Sequence, residues 1–262
     1  MPISAPRLRE WLLPHLVDNP NLSGNAKVLY LLSFEKAPDS IMELSRLSQL
    51  SRPTVHEAVR CLVKHGWMKL ERTKGCLVPI LSAPRTVQIE LAGRLRDFRA
   101  MARLAGEFLM KALLDFEMVP VPSMSNARPA FLHTEETKDR LEYDLHVPPR
   151  HSWEYQGSQH FQRTSFTGDD TLEDIQRRDQ IKAEISRKRG IICTQIFEED
   201  LSIDGVLRKM PKSIKLLRFD REGPYAVMLS NLCEEYISSA RKARQREKTR
   251  RANEGKVGRH GR

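Results

Sequence analysis

The residues most able to do chemistry lie in the segment 141–160, where two runs of alternating polar and apolar side chains flank a proline-containing turn at Pro148–His151. Alternation with a period of two is typical of β-strands, so the segment predicts a hairpin with one polar and one apolar face. The predicted apolar face consists of Leu141, Tyr143, Leu145, Val147, Trp153 and Tyr155.

The polar face of this hairpin predicts a cation site. If the turn brings Asp144 opposite Glu154, Glu142 falls opposite Gln156, and three acids and an amide share one patch. Like charges across a sheet repel, and a divalent cation would relieve that repulsion; hard oxygen ligands suit Mg²⁺ or Mn²⁺. The alternative is a half-exposed hairpin whose polar face meets water.

The sequence around this hairpin matches a known motif set. The run from Glu154 to His160, EYQGSQH, resembles the E-Y-x-G-x-Q-H signature of PD-(D/E)XK endonucleases in the branch that includes very-short-patch-repair (Vsr-like) and phage homing enzymes. Three further parts of that branch are similar here: Gly106-Glu107, Asp144, and R-D-x-x-K at 178–182 before Gly190 and an apolar run. The resemblance covers about residues 103–200 and departs from the superfamily at Gln156, where many members have lysine.

The resemblance implies a nuclease-like α/β domain with a mixed central sheet that hydrolyses DNA with Mg²⁺ or Mn²⁺. The metal ligands it implies are Glu107, Asp144 and Glu154, and the other catalytic residues are Gln156, His160, Asp179 and Lys182. His160 would serve as general base or leaving-group acid, because the ordinary pKa of histidine lies near neutrality. Gln156 would orient water or phosphate but cannot take up a proton, and Lys182 would replace the missing lysine.

Each of these assignments has a structural alternative. A lone acid such as Glu107 at the edge of an apolar stripe is often a flanking residue, and His160 alone would be an ordinary half-buried histidine. Asp179 and Lys182 fall within the apolar arc of the helix predicted at 171–189, where they need partners. The acidic hairpin supplies such partners, and an internal i,i+3 pair between Asp179 and Lys182 is the alternative.

The N-terminal third resembles a winged helix-turn-helix domain. Ser23, Ser40 and Ser51 are placed to cap three successive helices, and Gly66-Trp67 ends the third. Residues 68–72 and 76–80, joined by a turn at Lys74-Gly75, predict a two-stranded wing with a basic tip.

The third helix of this fold enters the major groove by its N-terminal end. The residues expected to face DNA are Arg52, Thr54, His56 and Arg60, with Lys74 reaching a phosphate. The alternative is a protein-docking module, because winged helices also serve that role. Double-stranded DNA is the predicted partner, and a homodimer is compatible with the sequence.

The net charge of +10 is concentrated at one end. Residues 241–262 hold ten Lys and Arg against two Glu, a net of +8, which leaves about +2 for the other 240 residues. Such basic tails commonly act as flexible arms for nucleic acid, and the alternative is a solubilising end.

Composition bounds the remaining possibilities. The chain of 262 residues, 40% hydrophobic and 30% charged, has room for two modest domains, predicted at 1–85 and 86–225 with a C-terminal helix and tail at 226–262. No apolar run reaches the roughly 20 residues of a membrane helix, and no signal-peptide core is evident. The four cysteines form no C-x-x-C pair, which predicts reduced thiols in a cytoplasmic protein.

Four further segments complete the predicted fold. A long helix is expected at about 87–116 and a loop at 120–138. The run at 190–197 predicts a core strand, and 213–219 is a candidate for another. The overall class is α/β, or α+β, with a winged helix before the nuclease-like domain.

These observations predict a metal-dependent DNA endonuclease. The first alternative is a non-catalytic DNA-binding regulator or replication accessory protein that keeps a degenerate nuclease fold; Gln156 favours it, whereas the presence of Asp144, Glu154, His160 and Asp179 disfavours it. The second is a subunit of a transposition machine, as in TnsA-type nucleases, whose cleavage would require partner proteins of the mobile element.

Overall fold

The structure is a computed structural model of the chain and describes residues 7–133, 140–157 and 172–257. Within these ranges the helices are α1 (Leu8–Val17), α2 (Gly24–Lys36), α3 (Ile41–Ser48), α4 (Arg52–Lys64), α5 (Arg85–Met101), α6 (Ala105–Glu117), α7 (Leu172–Lys188), α8 (Ile203–Lys209) and α9 (Pro224–Val257). The strands are β1 (Met68–Thr73), β2 (Cys76–Leu81), β3 (Met124–Ala127), β4 (Tyr143–Val147), β5 (His151–Gln156) and β6 (Ile192–Phe197).

Helices α2 to α4 and the β1–β2 hairpin form a winged helix-turn-helix, as the sequence predicts. Ser23, Ser40 and Ser51 cap the three helices, each accepting a backbone N–H from three residues on at 3.1–3.3 Å. At the wing tip Lys74 and Gly75 both have positive φ, 48° and 81°, which is the geometry of a two-residue hairpin loop. Helix α1, which packs against this unit, was not predicted.

The long helix expected at about 87–116 is two helices, so that prediction was wrong. Ala102 is extended, with φ −72° and ψ 122°, and ends α5. Near its start α6 packs closely against β5: a Cβ on Gly106 would lie 2.2 Å from the ring of Tyr155.

A four-stranded sheet in the order β3-β4-β5-β6 forms the centre of the second half. Strands β3, β4 and β5 are antiparallel and β5 pairs in parallel with β6, so the sheet is mixed as predicted. Strand β3 lies within the predicted loop at 120–138; the Ser and Asn that suggested a loop are exposed on this short edge strand. The ladder between β4 and β5 ends with the pair Leu145–Trp153, so the expected position of Asp144 opposite Glu154 stays a prediction.

The apolar side chains of the β4–β5 hairpin do not share one face, which corrects the alternation argument. Leu145, Val147, Trp153 and Tyr155 join the main core, whereas Leu141 and Tyr143 form a small cluster beside α7. The Asp144 carboxylate accepts the Tyr155 N–H at 2.7 Å, and this contact interrupts the alternation between the two groups. Strand β5 is buried along its whole length, so a hairpin with one water-facing side is also wrong.

Two further strand predictions need correction. Strand β6 is the last strand of the sheet among the described residues; Ile196 lies in the main core, but Ile192 at the start of the strand is 50% exposed. Residues 213–219 form isolated bridges, Leu216 with Met118 and Phe219 with Leu81, rather than a strand. Short apolar runs do not distinguish a central strand from an edge strand, because the difference depends on neighbours that are distant in sequence.

The basic segment, expected to be a flexible tail, is instead helical as far as Val257, where α9 ends. Lysine, arginine, alanine, glutamine and glutamate all have high helix propensity, and they dominate residues 241–251. Tyr236 and Arg244 attach α9 to the sheet: Tyr155 donates to the Tyr236 hydroxyl at 3.0 Å, and Arg244 donates to buried Glu198 at 2.5 Å.

The largest hydrophobic cluster extends from Leu8 to Cys233 and therefore crosses the predicted boundary near residue 85. The wing is attached to the second half by Lys69, which contacts buried Asp220 at 2.8 Å, and by Leu81, whose N–H donates to the Arg218 carbonyl at 2.8 Å. The division at 85 and 225 remains a prediction, and the described residues share one continuous core across it.

Candidate functional sites

The N-terminal end of α4 and the wing tip present the predicted DNA-contacting residues at the surface. Arg52, His56, Arg60 and Lys74 are exposed, and Thr54 is half-buried. Thr54 hydrogen-bonds the capping Ser51 through its hydroxyl at 2.7 Å, so part of its hydrogen-bonding capacity is used within the helix end. The face is basic and open, as a surface that binds phosphates and base edges requires.

Replacing Arg52 with Ala should weaken binding to a preferred duplex by about 1–3 kcal/mol if the guanidinium makes a bidentate base contact. Binding to random duplex should change much less, since the substitution would remove only a phosphate contact there. Lys36→Ala provides the control, because Lys36 is an exposed cation of the same unit that lies outside α4 and the wing. Equal reductions on both duplexes would show that Arg52 contacts the backbone rather than a base.

A second site lies where β4, β5 and α7 meet. The Lys182 ammonium donates to Oε2 of Glu154 at 2.7 Å, and both side chains are largely buried, 13% and 7% exposed. Glu154 and Asp144 interact electrostatically, and Asp179 of α7 contributes to the potential at Glu154. The structure therefore brings Asp144, Glu154 and Lys182 together, with half-buried Asp179 nearby.

The remaining predicted residues are placed around this cluster. Glu107, in the first turn of α6, interacts electrostatically with Asp144, but its carboxylate is paired with Lys111. Gln156 is buried at the end of β5, opposite Phe197. His160 lies outside the described residues, so its role stays a prediction. Glu142 accepts hydrogen bonds from Asn126 and Arg128 at 2.8 and 2.7 Å.

Burial changes the ionisation of this cluster. Desolvation, together with the charge of Glu107, raises the pKa of Asp144 to about 6. Desolvation and the charge of Asp144 raise the pKa of Glu154 to about 8, although Lys182 opposes the shift. Two neighbouring carboxyls with raised pKa values favour a shared proton or a bound cation, which is a common property of functional sites.

These raised pKa values predict a pH-dependent stability. The folded protein holds the protons of Asp144 and Glu154 more tightly than the unfolded chain, whose values are 3.8 and 4.5. The free energy of unfolding should therefore fall as pH rises from about 4 to about 8. Thermal melting across this range measures the effect, and Glu154→Gln should flatten it. If the stability of Glu154→Gln changed with pH as steeply as that of the wild type, the pH dependence would come from other buried acids, such as Asp115.

The donor set suits a hard divalent cation. Oε1 of Glu154 is buried and has no hydrogen-bond partner within the described residues, so it is an oxygen able to accept a ligand. Magnesium is usually held by one or two carboxylates, with water and phosphate completing the shell, and Asp144 and Glu154 could supply these two. Residues 7–133, 140–157 and 172–257 contain no group of three or more His, Cys, Asp or Glu arranged around one metal position. A metal site formed by Glu107, Asp144 and Glu154 together therefore stays a prediction.

Two residues of this region were not anticipated from the sequence. Lys111, 5% exposed, donates to Asn126 Oδ1 at 2.9 Å in addition to pairing with Glu107. The available signal was a lone lysine inside the apolar run 108–114, four residues after Glu107. Asn126 gave no signal, because its partners come together only through the sheet.

Comparison with known proteins identifies the N-terminal unit. A family model of the IclR helix-turn-helix domain matches residues 26–71, which run from α2 through α4 into β1. No curated protein and no solved structure matches the chain. The chain thus carries an N-terminal DNA-binding helix-turn-helix of the IclR type, and the PD-(D/E)XK resemblance of the second half gains no support from these comparisons. Within the described residues, no helix is both long and apolar enough to span a bilayer.

Proposed function

We propose that this protein is a DNA endonuclease, in which the winged helix binds duplex DNA and the cluster around Glu154 hydrolyses a phosphodiester bond with Mg²⁺ or Mn²⁺. The observation that carries the proposal is the meeting of Asp144, Glu154 and Lys182, from two strands and one helix, in a largely buried site. Burying such charges is costly, and a fold that does not use them gains little by keeping them together.

The residues of the cluster have separable roles in this proposal. Asp144 and Glu154 would hold the cation, with Glu107 as the third carboxylate, and a bound cation would supply Lewis-acid chemistry toward the phosphate and the attacking water. Lys182 holds Glu154 in place and, as a donor only, is suited to a phosphate oxygen. Gln156 orients water or phosphate, Asp179 adds negative charge, and His160 carries the proton.

The contacts between the wing and the second half support a combined action on DNA. The Lys69–Asp220 ion pair, the Leu81–Arg218 backbone bond and the shared core attach the DNA-binding unit to the domain that holds the cluster. DNA bound by α4 would then occupy a defined position relative to Glu154, which is what positioning for cleavage requires.

The proposal is tested by incubating the purified protein with supercoiled plasmid and Mg²⁺ or Mn²⁺. We expect conversion to nicked or linear DNA that stops when EDTA removes the metal. Plasmid that is retarded on a gel but never cut, at any metal concentration, would contradict the endonuclease.

The second candidate is a non-catalytic DNA-binding regulator. The IclR-type match favours it over the endonuclease, because IclR proteins are transcription regulators. The pairing of Glu107 with Lys111 and of Glu154 with Lys182 is also compatible with a site that serves only structure. This candidate predicts sequence-specific binding without cleavage. A transposition subunit would instead cut plasmid only when partner proteins of a mobile element are added.

Removing the positive charge of residues 241–262 should weaken binding to all DNA alike. The segment holds +8 of the +10 net charge and lacks an apolar stripe after Tyr236, so it should contact phosphates without reading bases. The slope of log affinity against log salt should fall by about 0.9 for every phosphate that the truncated protein no longer neutralises. Titrations of the truncated protein on specific and random duplexes measure this change.

A matched variant distinguishes the effect of losing positive charge from the effect of losing the helical segment in that experiment. Changing the exposed Arg241, Lys242 and Arg246 to Gln removes three charges but keeps helix formers and leaves the Arg244–Glu198 pair intact. The slope of log affinity against log salt should fall in this variant, but by less than in the truncated protein. A slope unchanged in both variants would show that the segment does not engage DNA.

A further inference from the structure

One short segment of the second half attaches to the base of the wing. Leu81, the last residue of β2, donates its N–H to the Arg218 carbonyl at 2.8 Å and accepts the Asp220 N–H at 2.7 Å. Its partner on β1 is Met68, so β2 has β1 along one edge and residues 218–220 along the other at this end. The wing is therefore held by backbone hydrogen bonds from outside the helix-turn-helix.

The Asp220 side chain ties the two strands of the wing together. Its carboxylate, only 6% exposed, accepts hydrogen bonds from the Lys69 ammonium at 2.8 Å, the Ser82 hydroxyl at 3.1 Å and the Glu222 N–H at 3.2 Å. Lys69 lies on β1 and Ser82 directly follows β2, so one carboxylate contacts both strands. A buried charge is costly unless it is paired, and Lys69 supplies the opposite charge.

A second side chain of the segment reaches the helix-turn-helix itself. The Arg218 guanidinium donates to the Pro38 carbonyl at 3.1 Å and to Oδ1 of Asp39 at 2.7 Å. Both acceptors lie in the turn between α2 and α3, directly before the Ser40 that caps α3. The wing and this turn are thus held by side chains only two positions apart, Asp220 and Arg218.

The segment is in turn fixed to α6. The Leu217 N–H donates to the Glu117 carbonyl at 2.8 Å, and the Glu117 side chain, 1% exposed, accepts the Arg221 guanidinium at 2.7 Å. Between these contacts Phe219 packs edge-on against Phe116, with ring centroids 5.7 Å apart. Backbone, ionic and apolar contacts hold the segment in place, so it can act as a fixed support for the wing.

We infer that Arg218 and Asp220 are positioning residues for DNA binding, which set the direction of the wing relative to the helix-turn-helix. The inference rests on the DNA binding of the proposed function and is independent of cleavage. A two-stranded hairpin alone is only marginally stable, so an unattached wing would have to be ordered when DNA binds. An attached wing presents Lys74 at its tip while α4 contacts the major groove, and one duplex then meets both at a lower entropic cost.

The affinity of the full-length protein for two DNA probes tests this inference. The first probe is a duplex that the wild type enriches from a random-sequence pool, and the second is the pool itself. Asp220→Asn keeps the shape of the side chain but removes the charge that pairs with Lys69. It should weaken binding to the enriched duplex by about 10-fold, because the wing must be ordered on binding. The pool should be affected little, since phosphate contacts do not require one wing direction. Arg218→Met should change the ratio of the two affinities in the same direction.

The opposite sign is expected if Asp220 only neutralises Lys69. The ammonium freed by Asp220→Asn would then contact a phosphate, which would tighten binding to both probes. The slope of log affinity against log salt would also become steeper by about 0.9. Tighter binding to both probes would overturn the inference.

Lys69→Met tests the same pair from the wing, and because Lys69 is exposed it keeps the inference testable if Asp220→Asn does not fold. It should weaken binding to the enriched duplex as much as Asp220→Asn does, whereas Lys69→Arg should retain the affinity. The double variant should bind no more weakly than either single variant, because both remove one interaction. Asp97→Asn is the matched control, since Asp97 is an exposed acid of α5 paired with Arg96. Equal weakening of both probes by Lys69→Met would assign Lys69 to a phosphate contact and overturn the inference.

The outcomes separate this inference from a structural role and from the endonuclease. Lower melting temperatures of Asp220→Asn and Lys69→Met, with an unchanged ratio of the two affinities, would show that the pair serves only stability and would overturn the inference. A lowered ratio, in a protein whose wild type never cuts plasmid, would support the positioning role and contradict the endonuclease. A wild-type protein that enriches no sequence from the pool would overturn the inference even if it cuts DNA.

Discussion

Glu154→Gln is expected to lower the rate of DNA cleavage by at least about 10³-fold while leaving DNA affinity nearly unchanged. A metal site contributes several kcal/mol of transition-state stabilisation, and each 1.36 kcal/mol is a factor of ten in rate. The amide has nearly the shape of the acid but lacks the negative charge that a cation requires. Affinity should persist, because the winged helix and the basic segment of α9 are distant in sequence from Glu154 and their exposed cations are unchanged.

Plasmid cleavage and fluorescence anisotropy with a labelled duplex measure the two quantities in the same preparation. Glu184→Gln is the matched control, because Glu184 is an exposed acid paired with Lys188 on the neighbouring helix α7. A Glu154→Gln protein that cuts at the wild-type rate would point to a contaminating nuclease or to a different site. A large decrease in affinity would mean that Glu154 shapes the DNA-binding surface.

Lys182→Met is expected to destabilise the fold by about 3 kcal/mol. Removing one partner of a buried ion pair leaves the other charge uncompensated, which typically costs 3–5 kcal/mol. The lower end applies, because the pKa of Glu154 is already raised to about 8 and the carboxyl can take up a proton near neutrality. Methionine retains the length of the lysine side chain, so packing changes little.

Urea denaturation of Lys182→Met, Glu154→Gln and the double variant measures this coupling directly. The double variant should be less destabilised than the sum of the two single changes, because it leaves no buried charge unpaired. Lys188→Met, which breaks an exposed pair, should leave the free energy of unfolding almost unchanged. Additive effects of the two changes at the cluster would show that Lys182 and Glu154 do not depend on each other.

Local signals made the winged helix predictable. Serine caps, helical apolar spacing and a Lys-Gly turn each act over a few residues, and the structure contains all of them. The break between α5 and α6 was not predictable, because the apolar spacing continues through Ala102. The close contact between Gly106 and Tyr155 near the start of α6 was not predictable either. That contact joins residues about 50 positions apart.

The candidate site was predictable in Asp144, Glu154 and Lys182 but not in Lys111. Alternation and motif spacing identified Asp144 and Glu154, and the two carboxyls interact electrostatically in the structure. The alternation placed Tyr143 on the wrong face, because a pattern of polar and apolar residues does not reveal that the Asp144 carboxylate accepts a backbone N–H from the next strand. Lys111 lies in a helix face that otherwise forms core; its partner Glu107 is four residues earlier in the same helix, and only the fold adds Asn126.

Single-turnover cleavage, with protein in excess over an end-labelled duplex, tests the endonuclease most directly. At saturating protein, the wild type with Mg²⁺ or Mn²⁺ should convert the duplex to shorter fragments, and EDTA should stop the reaction. Glu154→Gln purified in parallel should bind the same duplex and leave it intact. A duplex that stays intact with the wild type under every metal condition, despite complete binding, would contradict the endonuclease and leave the DNA-binding regulator.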